Sequence, residues 1–133
     1  MARKKKIKQG RNNVSLGIDE EKLFCMTGSR DKNFGINLFT QTDNCIWSPI
    51  ENGEDEIKTI AMIKAMEGIA PKDELEGMLA AQMVSIHNAS MECLRRAMIV
   101  DQGFEPRNVN LNQANKLSRT FAAQMEALNR HRG

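Results

Sequence analysis

The sequence predicts an all-α fold, a small bundle of about four helices, and three observations lead to this prediction. Aromatic residues make up only 5% of the chain and tyrosine is absent, whereas β-sheets are enriched in aromatic and β-branched side chains. The nine methionines suit an adaptable helical core. Residues 73–102 contain no proline and a single glycine, and their apolar side chains recur at a helical period. With 133 residues, the chain is predicted to form one domain, residues 14–133, behind a basic tail.

The tail, residues 1–13, is predicted to be disordered because it contains almost no apolar side chains. Its positive charges are candidates for contacts with nucleic-acid phosphates that do not depend on base sequence. They are Arg3, Lys4, Lys5, Lys6, Lys8 and Arg11. A solubilising terminus is the alternative, and the residues by themselves favour it slightly. The rest of the chain is acidic and then basic, since residues 12–106 carry eight positive and sixteen negative charges and residues 107–133 carry five and one.

The first part of the predicted domain is ambiguous. Residues 14–28 begin with three alternating apolar side chains, which are typical of a short strand, but Asp19 can instead cap a single helical turn. Residues 30–42 are predicted to form a helix with Ser29 as its N-cap. A glycine inside this segment leaves a strand over residues 35–40 as the alternative.

Two helices are predicted in the middle of the chain. Residues 54–68 start with three acidic residues, which favours a helix N-terminus, and end at a glycine. The short connector to the next helix, residues 73–102, indicates that the two pack as a hairpin. Most apolar side chains of this long helix lie on one arc, but four others do not: Val84, Met91, Met98 and Ile99. A helix that is apolar on so many sides is predicted to be buried on several of them, and we therefore expect a dimer.

The last helix is predicted over residues 109–130, packed antiparallel on the long helix. Its apolar stripe is formed by Ala114, Leu117, Ser118, Phe121, Met125 and Leu128. A basic edge accompanies this stripe, formed by Lys116, Arg119, Arg130, His131 and Arg132. Such an edge can bind phosphate or the acidic middle of a second copy. A solvated helix face is an equally strong alternative.

No constellation of residues predicts catalysis, a cofactor or a metal ion. His87 and Ser90 are close enough along a helix to hydrogen-bond, but no acid is placed to orient the histidine as a catalytic triad requires. Three cysteines without a closely spaced pair do not fit a disulfide framework or a zinc site. Two acidic clusters, residues 19–21 and residues 54–56, are interpreted as helix starts. No phosphate-binding glycine motif is present. We therefore predict that the protein is not an enzyme.

The sequence also predicts the compartment. No run of about 18 apolar residues is present, so we expect no membrane span. The basic start is not followed by an apolar signal region, and the cysteines are expected to be reduced thiols. Both observations favour the cytoplasm.

Two long runs of sequence carry a resemblance to a family of bacterial proteins with no assigned activity. They are PKDELEGMLAAQMVSIHNASMECLRRA and LNQANKLSRTFAAQMEALNRHRG, and the similarity covers residues 68–133. Residues 27–45 match more weakly, through TGSRDKNFGINLF. The resemblance implies a bacterial origin but no function and no functional residues. Family members are expected to continue past the position of Gly133 into a short tail.

These observations lead to two functional hypotheses. The first is a small non-enzymatic helical module that associates with itself and with a protein partner through its helix faces. The second is an accessory nucleic-acid-binding protein that contacts phosphate through the basic tail and through Lys116, Arg119, Arg130 and Arg132.

Overall fold

The computed structural model describes residues 18–46 and 54–133. These residues form five helices and no strand, which confirms the all-α prediction. The helices are α1 (Glu20–Thr27), α2 (Lys32–Asn44), α3 (Glu54–Ile69), α4 (Glu74–Ala97) and α5 (Phe104–Arg132). Residues 1–17, which include the predicted basic tail, and residues 47–53 lie outside the described residues. Within the described part, no helix combines the length and the apolar character that a membrane crossing requires.

Of the two alternatives for residues 14–28, the structure shows the helical one, with Asp19 as the cap. Helix α1 is longer than the predicted single turn. Asp19 Oδ1 accepts a hydrogen bond of 2.7 Å from the backbone N–H of Lys22, so Asp19 is the N-cap. Gly28 ends the helix with a φ of 73°. A Cβ at this position would also collide with the backbone of Asp73, so both conformation and close approach require glycine.

Helix α2 is present as predicted, but its N-cap is Asp31 and not Ser29. Asp31 Oδ1 accepts a hydrogen bond of 2.8 Å from the backbone N–H of Phe34. Ser29 is buried, and its hydroxyl donates to Glu74 Oε1 at 3.1 Å. The serine therefore joins the start of α2 to the start of α4, which is a tertiary role that its place in the sequence does not reveal.

The main core lies between helices α1, α2 and α3 and the first half of α4. It is formed by Leu23, Met26, Leu38, Phe39, Ile46, Met62, Ile63, Met66, Ala80, Ala81 and Val84. Small residues bring α4 close to this core, and the Cα of Gly77 lies against the carbonyl of Thr27. Three of the four residues with the most deeply buried large side chains are methionines, as expected for a helical core with few aromatic residues.

Helix α4 ends earlier than predicted, and α5 begins earlier. Residues 98–103 form the turn between them, where the Gln102 amide donates to the carbonyls of Arg96, Ala97 and Ile99 at 2.6, 3.1 and 2.9 Å. Pro106 lies in the first turn of α5 and not in a loop before it. Its missing N–H has no cost there, because the first N–H groups of a helix have no partner within the helix.

Helices α4 and α5 pack against each other as an antiparallel hairpin. On α4, Glu76, Met83, Ser90 and Ala97 are buried at intervals of seven residues, the spacing of a coiled-coil seam. On α5, Ala114 and Leu128 are buried, and Leu117 and Phe121 are partly buried. Among the described helices, α5 packs along α4 and along no other helix. The predicted antiparallel pair is therefore present, and α4 is buried on two sides because it belongs to both the core and the hairpin.

Candidate functional site

One face of α4 is covered along only half of its length. Gly77, Val84, Met91 and Met98 are seven residues apart and so share this face. The first two are buried against the main core, whereas Met91 is 52% exposed and Met98 is 66% exposed. The apolar pattern thus continues beyond the point where helices α1 to α3 cover it.

Helix α5 carries a matching stripe beside its seam. Phe104, Leu111 and Met125 lie at intervals of seven or fourteen residues, and all three are exposed. Arg132 continues this stripe by seven more residues, and it contacts the end of α3. The stripe therefore lies on the side of the hairpin where α3 and the main core pack.

Most of the exposed apolar side chains on this side lie at the closed end of the hairpin, which we call the apolar end. Its residues are Met91, Met98, Ile99, Val100, Phe104 and Leu111, with Val100 85% and Phe104 79% exposed. At about 200 Å² for a large residue, their exposed fractions correspond to roughly 730 Å² of surface. This area exceeds the roughly 300–600 Å² of the largest apolar patch on a typical monomer, and such patches mark interaction sites.

Charged side chains border the apolar end. Glu92 accepts hydrogen bonds from Arg95 at 2.7 Å and from Arg96 at 3.0 Å. The hydrogen bond from Arg95 is the main cause that lowers the pKa of Glu92 below its ordinary value, and the bond from Arg96 and both positive charges act in the same direction. These residues also line a cleft of about 540 Å³ between α4 and the facing ends of α2 and α3. An apolar centre with a charged border is the usual anatomy of a protein interface.

The opposite, open end of the hairpin is polar. Arg132 donates through Nε to Glu76 Oε1 at 2.7 Å, and through Nη2 to the carbonyls of Ile69 and Ala70 at 2.7 and 2.9 Å. We call this set of contacts the C-terminal clasp. The Glu76 side chain is only 4% exposed, so the clasp neutralises a buried carboxylate and supplies donors for carbonyls at the end of α3.

Two further groups lie beside the clasp. His131 Nε2 is 3.9 Å from Glu76 Oε2, and ligand atoms of Asp73, Glu76 and His131 all lie within 4.8 Å of one another. The sequence predicted no such cluster, because Asp73 and Glu76 belong to the predicted helix 73–102 and His131 belongs to the predicted basic edge of another helix. A separation of 55 residues between Glu76 and His131 gives no local signal of their contact.

The structure divides the predicted basic residues into three groups. Lys116, Arg119 and Arg130 are exposed, and none of them forms an ion pair with a described residue. Arg132 is instead part of the clasp. The six basic residues of the tail lie outside the described residues, so their role stays a prediction.

No hydrogen bond joins His87 and Ser90 in the structure, although both lie on α4. The His87 ring lies 6.2 Å from the ring of Phe121 on α5, and Ser90 is buried in the seam. These contacts give both residues a place in helix packing. The three cysteines form no disulfide.

Comparison with protein-family models, with curated proteins and with solved structures gives no match to this chain.

Proposed function

We propose that this protein is a small, non-enzymatic interaction module of the bacterial cytoplasm that self-associates through its apolar end. The proposal is carried by one face of α4. The main core covers the first half of this face, and the apolar side chains continue along the second half, where they are exposed. Met91 and Met98 follow Val84 on that face of α4. Phe104 and Leu111 of α5 lie on the same side of the hairpin. Water contact at these side chains is unfavourable, at about 25 cal/mol for each Å².

A second copy of the chain is the occupant that fits this surface best. The patch of roughly 730 Å² is near the roughly 800 Å² that each partner contributes to a standard interface. A two-fold axis would let each copy cover the apolar end of the other, and two hairpins would then form a four-helix bundle. The opposite charges of residues 12–106 and 107–133 also favour contacts between copies.

Light scattering during size-exclusion chromatography tests the proposal. The monomer has a mass of 15.0 kDa, so we expect about twice this mass for the intact chain. Met98→Asp and Phe104→Asp place a charge in the apolar end and are expected to yield monomers. Val109→Asp is the matched control because Val109 is 57% exposed but lies on the opposite side of α5 from the seam.

The experiment has outcomes that would reject the proposal. An intact chain that stays monomeric at high micromolar concentration would exclude self-association through this surface. A dimer that survives both substitutions in the apolar end would place the interface elsewhere.

Nucleic-acid binding is a second candidate function, supported by one specific observation. Lys116, Arg119 and Arg130 are exposed on one side of α5 and have no acidic partner among the described residues. Three phosphate contacts would give a log–log salt slope of about −3, or a loss of affinity of roughly 40-fold between 50 and 200 mM salt. We expect reversal of these three charges to reduce that slope in a fluorescence-anisotropy titration with DNA. Negligible binding by the intact chain at low salt would exclude this function.

A further inference from the structure

The open end of the hairpin brings three metal-ligating side chains together from distant parts of the chain. Asp73 and Glu76 lie at the start of α4, and His131 lies in the last turn of α5. One ligand atom from each lies within 4.8 Å of the other two. Two ligands of a tetrahedral zinc ion are roughly 3.4 Å apart, given metal–ligand bonds of about 2.0–2.1 Å. The 3.9 Å between Glu76 Oε2 and His131 Nε2 is therefore close to the spacing that a shared cation needs.

The buried carboxylate of Glu76 provides the second, independent observation. Its side chain is 4% exposed, and its Oε1 accepts the hydrogen bond from Arg132 at 2.7 Å. Its Oε2 accepts no hydrogen bond from any described residue, and it faces His131. A buried carboxylate with one oxygen fixed by a donor and one oxygen free is arranged as a metal ligand with a supporting outer contact.

The remaining groups allow a cation to enter. Asp73 Oδ1 accepts the N–H of Glu76 at 2.9 Å as the N-cap of α4, which fixes the aspartate beside the cluster. His131 is 45% exposed, so its ring can approach Glu76 by the roughly half ångström that separates 3.9 Å from the spacing of two zinc ligands. With a neutral histidine, Asp73, Glu76 and Arg132 have a summed charge of −1, so a dication is not opposed by net positive charge.

We propose that Asp73, Glu76 and His131 bind a divalent first-row transition-metal ion, with zinc as the reference ion and water as the fourth ligand. One imidazole nitrogen and two carboxylate oxygens are ligands that zinc accepts. The ion joins the start of α4 to the end of α5 beside the C-terminal clasp. This site lies at the opposite end of the hairpin from the apolar end, so it does not depend on the proposed self-association.

Isothermal titration calorimetry with zinc chloride tests the site. Cysteine thiolates also bind zinc, so the titration uses a background in which three exposed or partly exposed cysteines are replaced: Cys25→Ser, Cys45→Ser and Cys93→Ser. We expect one zinc ion per chain. His131→Ala and Asp73→Asn are each expected to weaken binding by about tenfold or more. Asparagine is as good an N-cap as aspartate, so the second variant keeps the start of α4.

His87→Ala is the matched control because the chain contains two histidines and His87 lies in the middle of the hairpin. It is expected to leave zinc affinity unchanged. Zinc should also perturb the NMR signals of the His131 imidazole and not those of His87. No binding, or binding that His131→Ala leaves unchanged, would overturn the proposal, as would equal losses of affinity in the two histidine variants.

Discussion

Arg132 joins the last turn of α5 to the first turn of α4 and to the end of α3. It donates to Glu76 and to two backbone carbonyls, and these acceptors lie between 56 and 63 residues away in sequence. A buried carboxylate is tolerated only when a donor or a cation accompanies it. The guanidinium provides both, and its planar set of donors suits several acceptors at once.

Arg132→Ala is therefore expected to lower the free energy of unfolding by about 3 kcal/mol, because it leaves Glu76 buried without its cation. Chemical denaturation at neutral pH measures the change. Arg130→Ala, two residues earlier on an exposed position without an ion pair to a described residue, is the control and should change stability by less than about 0.5 kcal/mol. Equal effects of the two variants would contradict this account of the clasp.

Glu92 gives a prediction about pH. Hydrogen bonds from Arg95 and Arg96 lower its pKa in the folded protein, so the ionised form stabilises the fold. This contribution is present above the ordinary glutamate pKa and is lost as the pH falls through the lowered value. Because the two arginines are half exposed, we expect Glu92→Gln to cost at most about 1 kcal/mol at pH 7.

The measurement is urea denaturation of the intact chain and Glu92→Gln at pH 7 and at strongly acidic pH. The difference between them should disappear at acidic pH. Glu126→Gln, at an exposed position of α5 without an ion pair to a described residue, should show no such difference at either pH. A cost of Glu92→Gln that persisted after acidification would rule out the ion pairs as its origin.

At the scale of elements, the packing of α4 depends on a close approach to α1. Gly77 lies where any Cβ would collide with the carbonyl of Thr27, and Gly28 lies where a Cβ would collide with Asp73. These two glycines allow the start of α4 to pack directly on the end of α1. Because α4 also forms the hairpin with α5, its position decides where both the apolar end and the clasp lie.

Two helical glycines are expected to respond in opposite directions to alanine. Gly77→Ala should lower the free energy of unfolding by about 2 kcal/mol or more, because the added methyl group forces α4 away from α1. Gly68→Ala in α3 should raise it by about 0.4–1 kcal/mol, because nothing lies within 4 Å of the new Cβ and alanine restricts the unfolded chain. Thermal denaturation of both variants checks the pair, and stabilisation by Gly77→Ala would contradict the described packing of α4.

At the scale of the whole molecule, self-association would couple stability to concentration. If the apolar end is buried between two copies, the unfolding midpoint must rise with protein concentration by mass action. We expect such a rise between low and high micromolar protein for the intact chain and for Val109→Asp. Phe104→Asp should unfold at a midpoint independent of concentration. Differential scanning calorimetry measures both, and a midpoint independent of concentration for the intact chain would contradict dimerisation.

Local patterns in the sequence predicted much of this fold. The helices α2 to α5 appear close to their predicted ranges, since apolar periodicity, acidic first turns and stop residues act within a few residues. Four of the six predicted stripe residues of α5 lie in the seam, but Ser118 and Met125 are exposed. The predicted start of the last helix at residue 109 was too late, because Pro106 suits either a loop or a first helical turn and lies in the first turn of α5.

The sequence by itself determined the all-α class, the long antiparallel pair and the excess of apolar surface on α4, because each follows from periodicity within one segment. Only the tertiary structure decided which part of that surface is covered. It placed Val84 in the core and Met98 in solvent, although both lie on one face. It also paired Arg132 with Glu76, since partners 56 residues apart are set by how helices pack and not by their spacing along the chain.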